Sequence, residues 1–463
     1  MKGLFCVVFS LMVLASSAVQ ATETREYMLD NGLKLLVKED HRAPVVVSQI
    51  WYKVGATDEH NGSTGISHAL EHMMFKGTPK HPAGEFSRII SANGGDENAF
   101  TGDDYTAYFQ TLEKSRLPIA FELEADRMHN LSVPEKEFVK EIEVVKEERH
   151  WRTDDNPESY AYETFMSTAF QTSPYRHPVI GWPSDLHNMT ASEVKHWYKR
   201  WYGPNNATLV VVGDVVPDEV YKLAKKYFGP IPKIQIHHDL PRPEVEQHGI
   251  KRIVIKRPAE LPYLIMGYKV PSLTDSVKHP DKVPEWEIYA LEVLSGILDG
   301  GDSARFNSIL VRQKEIATTV SLGYSFASKY SNLMTIDGVP AQGKTVNDLE
   351  KGIREQLERI KNEQVSDDEL QRVKTQVVAD DIYQKDSIFY QAMVMGSLET
   401  VGLSWKVADE YVDKVKQVTA KQVQEVAKKY LNDDDLTVAV LDPLPLDKNH
   451  PAEQPRGDME HVR

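Results

Sequence analysis

The sequence predicts an α+β protein built from two homologous domains, each a mixed, mostly antiparallel sheet with helices packed on it. Its 463 residues exceed what one hydrophobic core usually organises, so two domains of about 200 residues are expected. A segment beginning at Met189 aligns without a gap with one beginning at Val418. In both, an amphipathic helix leads through a polar turn into an apolar strand, which indicates duplicated domains.

The domain boundaries follow from composition. Residues 22–229 form the predicted N-terminal domain. Residues 230–247 are predicted to be a linker, because they carry four prolines and few bulky apolar side chains. Residues 248–445 form the predicted C-terminal domain, and the charged, proline-containing tail 446–463 is expected to be mobile.

Residues 1–21 are typical of a secretory signal peptide. A lysine precedes an apolar run over 3–14 that is too short to span a bilayer, and Val19 and Ala21 suit signal peptidase. The single cysteine, Cys6, lies in this leader, so disulfides cannot stabilise the mature chain. We expect a soluble protein without a membrane span, in a periplasm or an extracellular space. An uncleaved membrane anchor is the alternative.

The charge balance excludes one class of ligand. The chain has 54 basic and 69 acidic residues, for a net charge of −15, and has no basic patch interleaved with aromatic residues. Nucleic acid is therefore not an expected partner. If the carboxylates line an interior, basic peptides would be favoured.

Residues 68–72 carry the order His-x-x-Glu-His in a segment with helical character. Side chains four apart on a helix share a face, so His68 and His72 can direct two ring nitrogens at one point. Glu71 lies beside that point, where it can take a proton from water at a zinc ion. The order is that of the inverted zincins. The alternative is a chance arrangement on a solvated helix face.

A catalytic zinc ion needs three protein ligands and one open position, so a further carboxylate is expected downstream. The segment from about Glu135 to Trp151 is predicted to be helical, with acidic residues crowding its first turn. Glu141 and Glu148 are seven residues apart and share a face of that helix. Taken alone, a glutamate-rich helix is more often an exposed surface helix.

These segments together resemble the pitrilysin or insulinase family of zinc peptidases, in particular the branch that includes mitochondrial processing peptidase and its bacterial relatives. The resemblance rests on HALEHMMFKGT and on EIEVVKEER, whose Glu148 follows His72 by 76 positions, and it covers nearly the whole mature chain. It implies zinc as cofactor, with His68, His72 and Glu148 as ligands. It also implies that Glu71 is the catalytic base and that Glu141 is a second carboxylate supporting catalysis.

The second copy keeps the architecture and loses the ligands. Residues 288–293 read IYALEV where the first copy reads SHALEH, so Tyr289 and Val293 replace the histidines. Neither side chain can bind zinc as imidazole does. We therefore expect one zinc ion per chain, held by the first half.

A turn-rich run at residues 93–101 leads into an alternating segment at 104–112, which predicts a strand. The pattern alone favours an ordinary hairpin. The resemblance implies instead an edge strand that binds the substrate peptide by strand addition, with Asn98, Ala99 and Phe100 at the substrate site.

The resemblance also implies an arginine and, seven positions later, a tyrosine that bind substrate and support the transition state. Arg312 lies at the arginine position, but Thr319 stands where the tyrosine should be and Tyr324 is out of register. Arg312 is therefore either a substrate-binding residue or a structural residue on a helix surface. We expect a separate homologous subunit to supply the pair, and a homodimer is the alternative assembly.

Residues and resemblance together predict a zinc-dependent endopeptidase that hydrolyses unfolded peptides or oligopeptides. Family members pair or fuse such two-domain chains into a clamshell with a closed chamber, and those with bacterial leaders often reside in the periplasm, which is the location we expect. The alternative is a non-catalytic assembly or partner subunit, because the same fold serves both roles.

Overall fold

A computed structural model of the protein describes residues 23–236 and 243–446. The predicted signal peptide, residues 237–242 of the predicted linker, and the tail beyond residue 446 lie outside the described residues. Within the described ranges, no helix combines the length and the apolar character that crossing a bilayer requires.

The N-terminal half forms a six-stranded sheet with helices on it. Its strands are β1 (Arg25–Met28), β2 (Lys34–Glu39), β3 (Val45–Tyr52), β4 (Asp96–Thr101), β5 (Thr106–Glu113) and β6 (Ala207–Gly213). Its helices are α1 (Ile66–Met73), α2 (Glu85–Ala92), α3 (Leu117–Asn130), α4 (Glu135–Arg149), α5 (Pro157–Ala169), α6 (Pro183–Asn188), α7 (Ala191–Trp201) and α8 (Pro217–Tyr227). The order β1-β2-β6-β3-β5-β4 places β4 at an edge. The β2–β6 pair is parallel and the other pairs are antiparallel.

The C-terminal half repeats this plan with a five-stranded sheet. Its strands are β7 (Lys251–Pro258), β8 (Tyr263–Val270), β9 (Ala317–Gly323), β10 (Asn332–Pro340) and β11 (Leu436–Leu444). Its helices are α9 (Leu273–Lys278), α10 (Glu285–Asp299), α11 (Val346–Asn362), α12 (Asp367–Gln384), α13 (Ile388–Thr400), α14 (Val407–Gln417) and α15 (Ala420–Tyr430). The order is β7-β11-β8-β10-β9, with β7 and β11 parallel. The predicted α+β class with two mixed, mostly antiparallel sheets is confirmed.

The sequence repeat corresponds to one structural unit in each half. In the first, α7 leads into β6, and in the second, α15 leads into β11. Both helices begin with a threonine side chain that accepts a hydrogen bond from the backbone three residues on, Thr190 from Glu193 and Thr419 from Gln422. This bond satisfies an amide that has no partner within the helix. β6 and β11 are interior strands of their sheets, paired on both sides.

The two halves exchange helices. α13, from the C-terminal half, packs on β3 and β6 of the first sheet, and α5, from the N-terminal half, packs on β7, β8 and β11 of the second. A glycine permits each close approach. A Cβ at Gly396 of α13 would lie 2.2 Å from the indole of Trp51, and one at Gly267 of β8 would lie 2.5 Å from the ring of Phe165. Each sheet therefore depends on the other half to cover one of its faces.

The turn-rich run at residues 93–101 is mostly a strand. Residues 96–101 form β4, paired antiparallel with β5, and the turn is confined to the residues before it. β4 and β5 thus form an antiparallel hairpin, as the pattern predicts, and β4 is the edge strand of the sheet.

We predict that Gly396→Ala destabilises the whole chain, because the added methyl group would overlap the Trp51 indole between the two halves. Overpacking of this kind costs about 1–3 kcal/mol. The shift in the urea midpoint of unfolding measures it. Ser397→Ala, one residue further along the same helix, is the control and should have little effect. Equal midpoints for the two variants would contradict the prediction.

Candidate metal centre

Helix α1 starts at a tightly constrained point. Gly65 precedes it with a φ of 81°, a left-handed conformation that favours glycine. A Cβ at Gly65 would lie 2.8 Å from the Cα of Gly181, so the two glycines are in close contact. The buried carboxylate of Glu59 accepts hydrogen bonds from the amides of Gly65 (2.7 Å) and Ser67 (2.8 Å). This carboxylate takes the place of an ordinary helix cap and fixes the start of α1.

The C-terminal end of α4 is hydrogen-bonded to the loop that contains Gly181. The guanidinium of Arg149 donates to the carbonyl oxygen of Gly181 (2.8 Å) and to both carboxylate oxygens of Glu163 (2.8 Å each). The chain then continues as a π-helical turn over His150–Asp154, an irregularity often found at functional sites. Glu148 is adjacent to Arg149, so this tie also holds Glu148 in place.

Two histidines of α1 and one glutamate of α4 converge. The Nε2 atoms of His68 and His72 lie 3.6 Å and 3.3 Å from Oε2 of Glu148. One potential ligand atom from each of the three residues lies within 4.8 Å of the others. Oε2 of Glu148 is buried without a directed hydrogen bond, whereas its Oε1 accepts from Arg152 at 2.7 Å. The three side chains therefore present free donor atoms to a single point, as a metal ion requires.

The two histidines differ in protonation. Burial and the neighbouring His72 lower the pKa of His68 to about 4, which leaves a neutral imidazole suited to binding a metal. Burial alone would also lower the pKa of His72, but the hydrogen bond with Glu141 and the negative charge of Glu148, 3.3 Å away, outweigh it and raise the pKa to about 9. A metal ion that binds here would displace the proton of His72. The affinity of the site for the metal ion would therefore increase with pH over the range below 9.

Glu141 acts on His72 from the side away from Glu148. Its Oε1 lies 3.1 Å from Nδ1 of His72, and its Oε2 accepts from Lys76 at 2.6 Å. Burial would raise the pKa of Glu141, yet these two partners lower it, so the carboxylate stays charged. A carboxylate in this position fixes the tautomer and orientation of a metal-binding imidazole.

Glu71 lies beside the cluster and is held by Thr101. The Thr101 hydroxyl donates to Oε2 of Glu71 at 2.5 Å. Burial raises the pKa of Glu71, although Thr101 and His72 act in the opposite direction. A carboxylate with a raised pKa is a better proton acceptor at neutral pH. Because Thr101 is the last residue of β4, it links the edge strand to this carboxylate.

The residues predicted to contact substrate lie on both faces of β4. Ala99 shares a face with Thr101 and belongs to the core beneath α1. Phe100 points to the other face and packs edge-on against Trp51, with 5.3 Å between ring centroids. Oδ1 of Asn98 accepts from the amide of Ala99 at 2.8 Å. All three residues line one cavity with the histidines.

That cavity has a volume of about 1180 Å³ and contains the three converging side chains and Glu71. Its wall is formed by α1, α2, β4, α4, α5 and the segment 175–180, with Tyr263 contributed by the C-terminal half. Arg312 does not belong to this wall as the structure describes it. It is exposed and pairs with Asp302 at 2.9 Å.

Three residues around the centre are absent from the sequence-based prediction. Arg152 follows Glu148 by four positions and pairs with it, so this spacing could have indicated it. Lys76 lies beyond the end of α1 and pairs with Glu141, which no local pattern indicates. Thr101 reaches Glu71 across 30 residues of sequence, and no local pattern indicates that contact.

Comparisons with known proteins identify the family of the chain. A family model described as "Insulinase (Peptidase family M16)" matches residues 34–182, and one described as "Peptidase M16 inactive domain" matches residues 188–377. The zinc protease PqqE of Helicobacter pylori is 33% identical over 426 residues, which cover 90% of this chain and 92% of that protein. The uncharacterized zinc protease YmxG of Bacillus subtilis is 25% identical over 421 residues, covering 90% and 98% of the two chains.

Solved structures show the same architecture. A protease from Helicobacter pylori superposes with a TM-score of 0.85 at 30% identity, covering 91% of this chain and 100% of that chain. The periplasmic protease PqqL of Escherichia coli superposes with a TM-score of 0.73 at 18% identity, covering 92% of this chain and 49% of that chain. At this lower identity the likeness concerns the fold.

We predict that Glu148→Gln weakens zinc binding by about 100-fold or more, because an amide oxygen replaces a charged ligand between two histidines. Competition titration with a chromophoric chelator measures the affinity. Glu143→Gln is the matched control, because Glu143 lies on the exposed face of the same helix, paired with Lys146. Similar affinities for the two variants would exclude Glu148 as a ligand.

Proposed function

We propose that this chain, which belongs to the insulinase (M16) family of peptidases, is a zinc-dependent endopeptidase that cleaves unfolded peptides. The convergence of His68, His72 and Glu148 beside Glu71 carries the proposal. The donor set fits zinc: two imidazoles and a carboxylate, all buried or nearly so, leave a fourth position open for water or substrate. A subunit without catalytic work would have no need of this set.

In the proposed reaction the metal ion and the side chains have different roles. A bound Zn²⁺ would supply Lewis acidity, lowering the pKa of water and polarising the scissile carbonyl. Glu71 accepts the proton from the attacking water and delivers it to the departing amine. Thr101 holds one oxygen of Glu71, which leaves the other oxygen for proton transfer. Glu141 keeps the His72 ring oriented throughout.

The cavity favours extended substrates. β4 forms its wall and is an edge strand, so its outer side offers backbone groups to a further strand. A peptide can pair with that edge by strand addition beside Asn98, Ala99 and Phe100. A folded domain does not fit a space of about 1180 Å³, so unfolded peptides or oligopeptides are the proposed substrates.

We propose one zinc ion per chain and a chamber completed by a second subunit. Tyr289 and Val293 stand in place of the histidines in the C-terminal half, and the family model described as inactive matches residues 188–377, which include the first part of that half. Arg312 pairs with Asp302 outside the cavity, so the arginine and tyrosine that the family resemblance implies are proposed to come from a homologous subunit, with a homodimer as the alternative assembly. Two such subunits, paired, would form the clamshell that the family resemblance implies.

A periplasmic location is part of the proposal. It is supported by the leader-like sequence of residues 1–21 and by the lack of cysteine in the rest of the chain. Comparison of the apparent mass and the N-terminal residue of the secreted and intracellular chains tests it.

We predict that Glu71→Gln keeps zinc and loses at least about 100-fold in kcat, because the amide cannot accept the proton from water. Cleavage of an unstructured fluorogenic peptide measures turnover, with metal content determined on the same sample. The wild-type chain, stripped of metal by a chelator and reloaded, is the control. A zinc-loaded wild-type chain without turnover would favour a non-catalytic subunit of the same fold instead.

We predict that specific activity rises with protein concentration, or on adding a purified homologous subunit, because the proposed site is completed across an interface. Activity at a series of dilutions, alongside the mass in solution, measures this. Undiminished activity of a monomer at every dilution would show that the single chain is sufficient.

A further inference from the structure

The stretch of chain that follows Glu148 is held by a residue of the C-terminal half. α4 continues directly into the π-helical turn His150–Asp154, and the next helix, α5, begins only after this turn. The π-helical turn is therefore the end of the helix that bears Glu148. Its position affects where the carboxylate of Glu148 lies.

One arginine of the C-terminal half contacts the π-helical turn. The guanidinium of Arg257, on β7, donates to the backbone carbonyl of Asp154. It also lies over the ring of Tyr160, on α5, with its central carbon 4.1 Å from the ring centroid. A carbonyl at the C-terminal end of a helix has no partner within the helix and carries part of the negative end of the helix dipole. Here a cation from the other half supplies that partner.

Asp154 connects Arg257 to the candidate metal centre. Its carboxylate accepts from Arg149 at 3.3 Å, and Arg149 is the residue that follows Glu148. Within the π-helical turn, Arg152 pairs with Oε1 of Glu148 at 2.7 Å. The carbonyl of Asp154 is thus bound to the C-terminal half, while its carboxylate is bound to α4. A displacement of the turn would move both arginines relative to Glu148.

Arg257 is held in a fixed place by its own strand. Along β7, Ile255 is buried and Lys256 is exposed, so alternation places Arg257 on the same face as Ile255. Ile255 packs in one apolar cluster with Ala161 and Phe165 of α5. This apolar contact between α5 and the second sheet fixes the distance from Arg257 to the π-helical turn.

We propose that Arg257 is a positioning residue for the proposed metal ligand Glu148, through which the C-terminal half strengthens zinc binding in the N-terminal half. Arg257 acts from outside the cavity, whose described wall does not include it. The inference rests on the proposed zinc centre and does not depend on turnover. Residues that orient a ligand without contacting the metal change metal affinity by about 10- to 100-fold. Because Arg257 acts through the π-helical turn, we expect the lower end of that range.

The zinc affinity of the full chain, measured by competition with a chromophoric chelator, tests the inference. Arg257→Gln should weaken zinc binding by about tenfold, and Arg257→Lys, which can still donate to Asp154, should recover most of the affinity. Lys256→Gln is the matched control, because Lys256 is exposed on the opposite face of the strand and lies 4.0 Å from Asp442. An unchanged affinity in Arg257→Gln would overturn the inference and leave the zinc centre standing. A wild-type chain that binds no zinc would overturn both.

A double-mutant cycle separates positioning from a general loss of stability. If Arg257 acts through Glu148, the effect of Arg257→Gln on zinc affinity should disappear in a chain that already carries Glu148→Gln. An effect of the same size in both backgrounds would show that Arg257 supports the fold and not the ligand, and would overturn the inference.

Hydrogen exchange of the metal-free chains gives a second measurement that does not involve zinc. In Arg257→Gln, the amides of residues 150–156 should exchange faster than in wild type, while those of α1 keep their wild-type rates. Unchanged exchange at residues 150–156, or equally faster exchange in α1, would contradict a local role in holding the π-helical turn.

Discussion

The metal centre requires a fixed separation between the start of α1 and the end of α4, and Gly181 is where the two are joined. A side chain there is precluded, because a Cβ would lie 2.5 Å from the carbonyl oxygen of Thr64, just before α1. The carbonyl of Gly181 accepts from Arg149, the neighbour of Glu148. One loop residue therefore contacts both ligand-bearing helices. The fold itself thus brings the potential ligand atoms within 4.8 Å of one another. Such preorganisation is what a catalytic site needs.

Holding polar groups together in a buried place costs desolvation energy, and the surrounding charges offset it. Lys76 pairs with Glu141, and Arg152 pairs with the oxygen of Glu148 that faces away from the histidines. Each carboxylate thus has one oxygen bound to a cation and the other directed at a histidine. The residues that orient the ligands therefore do not themselves contact the metal position.

Much of this centre could be predicted from sequence because its geometry is local to two helices. The spacing of His68 and His72 follows from helical periodicity, and the duplication is visible in the aligned segments. Periodicity places Glu141 and Glu148 on one helix face, whereas the choice of Glu148 as the ligand rests on the family resemblance. The strand character of β4 was not predictable from pattern, since one side of it faces a cavity and its composition is polar. The packing of α13 on Trp51 joins residues 345 positions apart, and only the glycine at 396 inside a helix offers a hint of close approach.

The exchange of helices explains why a half without metal ligands is retained. Glu292 occupies the position of Glu71 in the second copy, but it is partly buried, accepts from the Tyr411 hydroxyl at 3.1 Å, and has its pKa raised to about 7 by burial. Tyr289 and Val293 occupy the two histidine positions beside it. The contribution of this half lies elsewhere, because α13 covers the face of the first sheet opposite α1. Without α13, the first sheet would expose an apolar face to water, and its edge strand β4, where we propose that substrate binds, would lose its support.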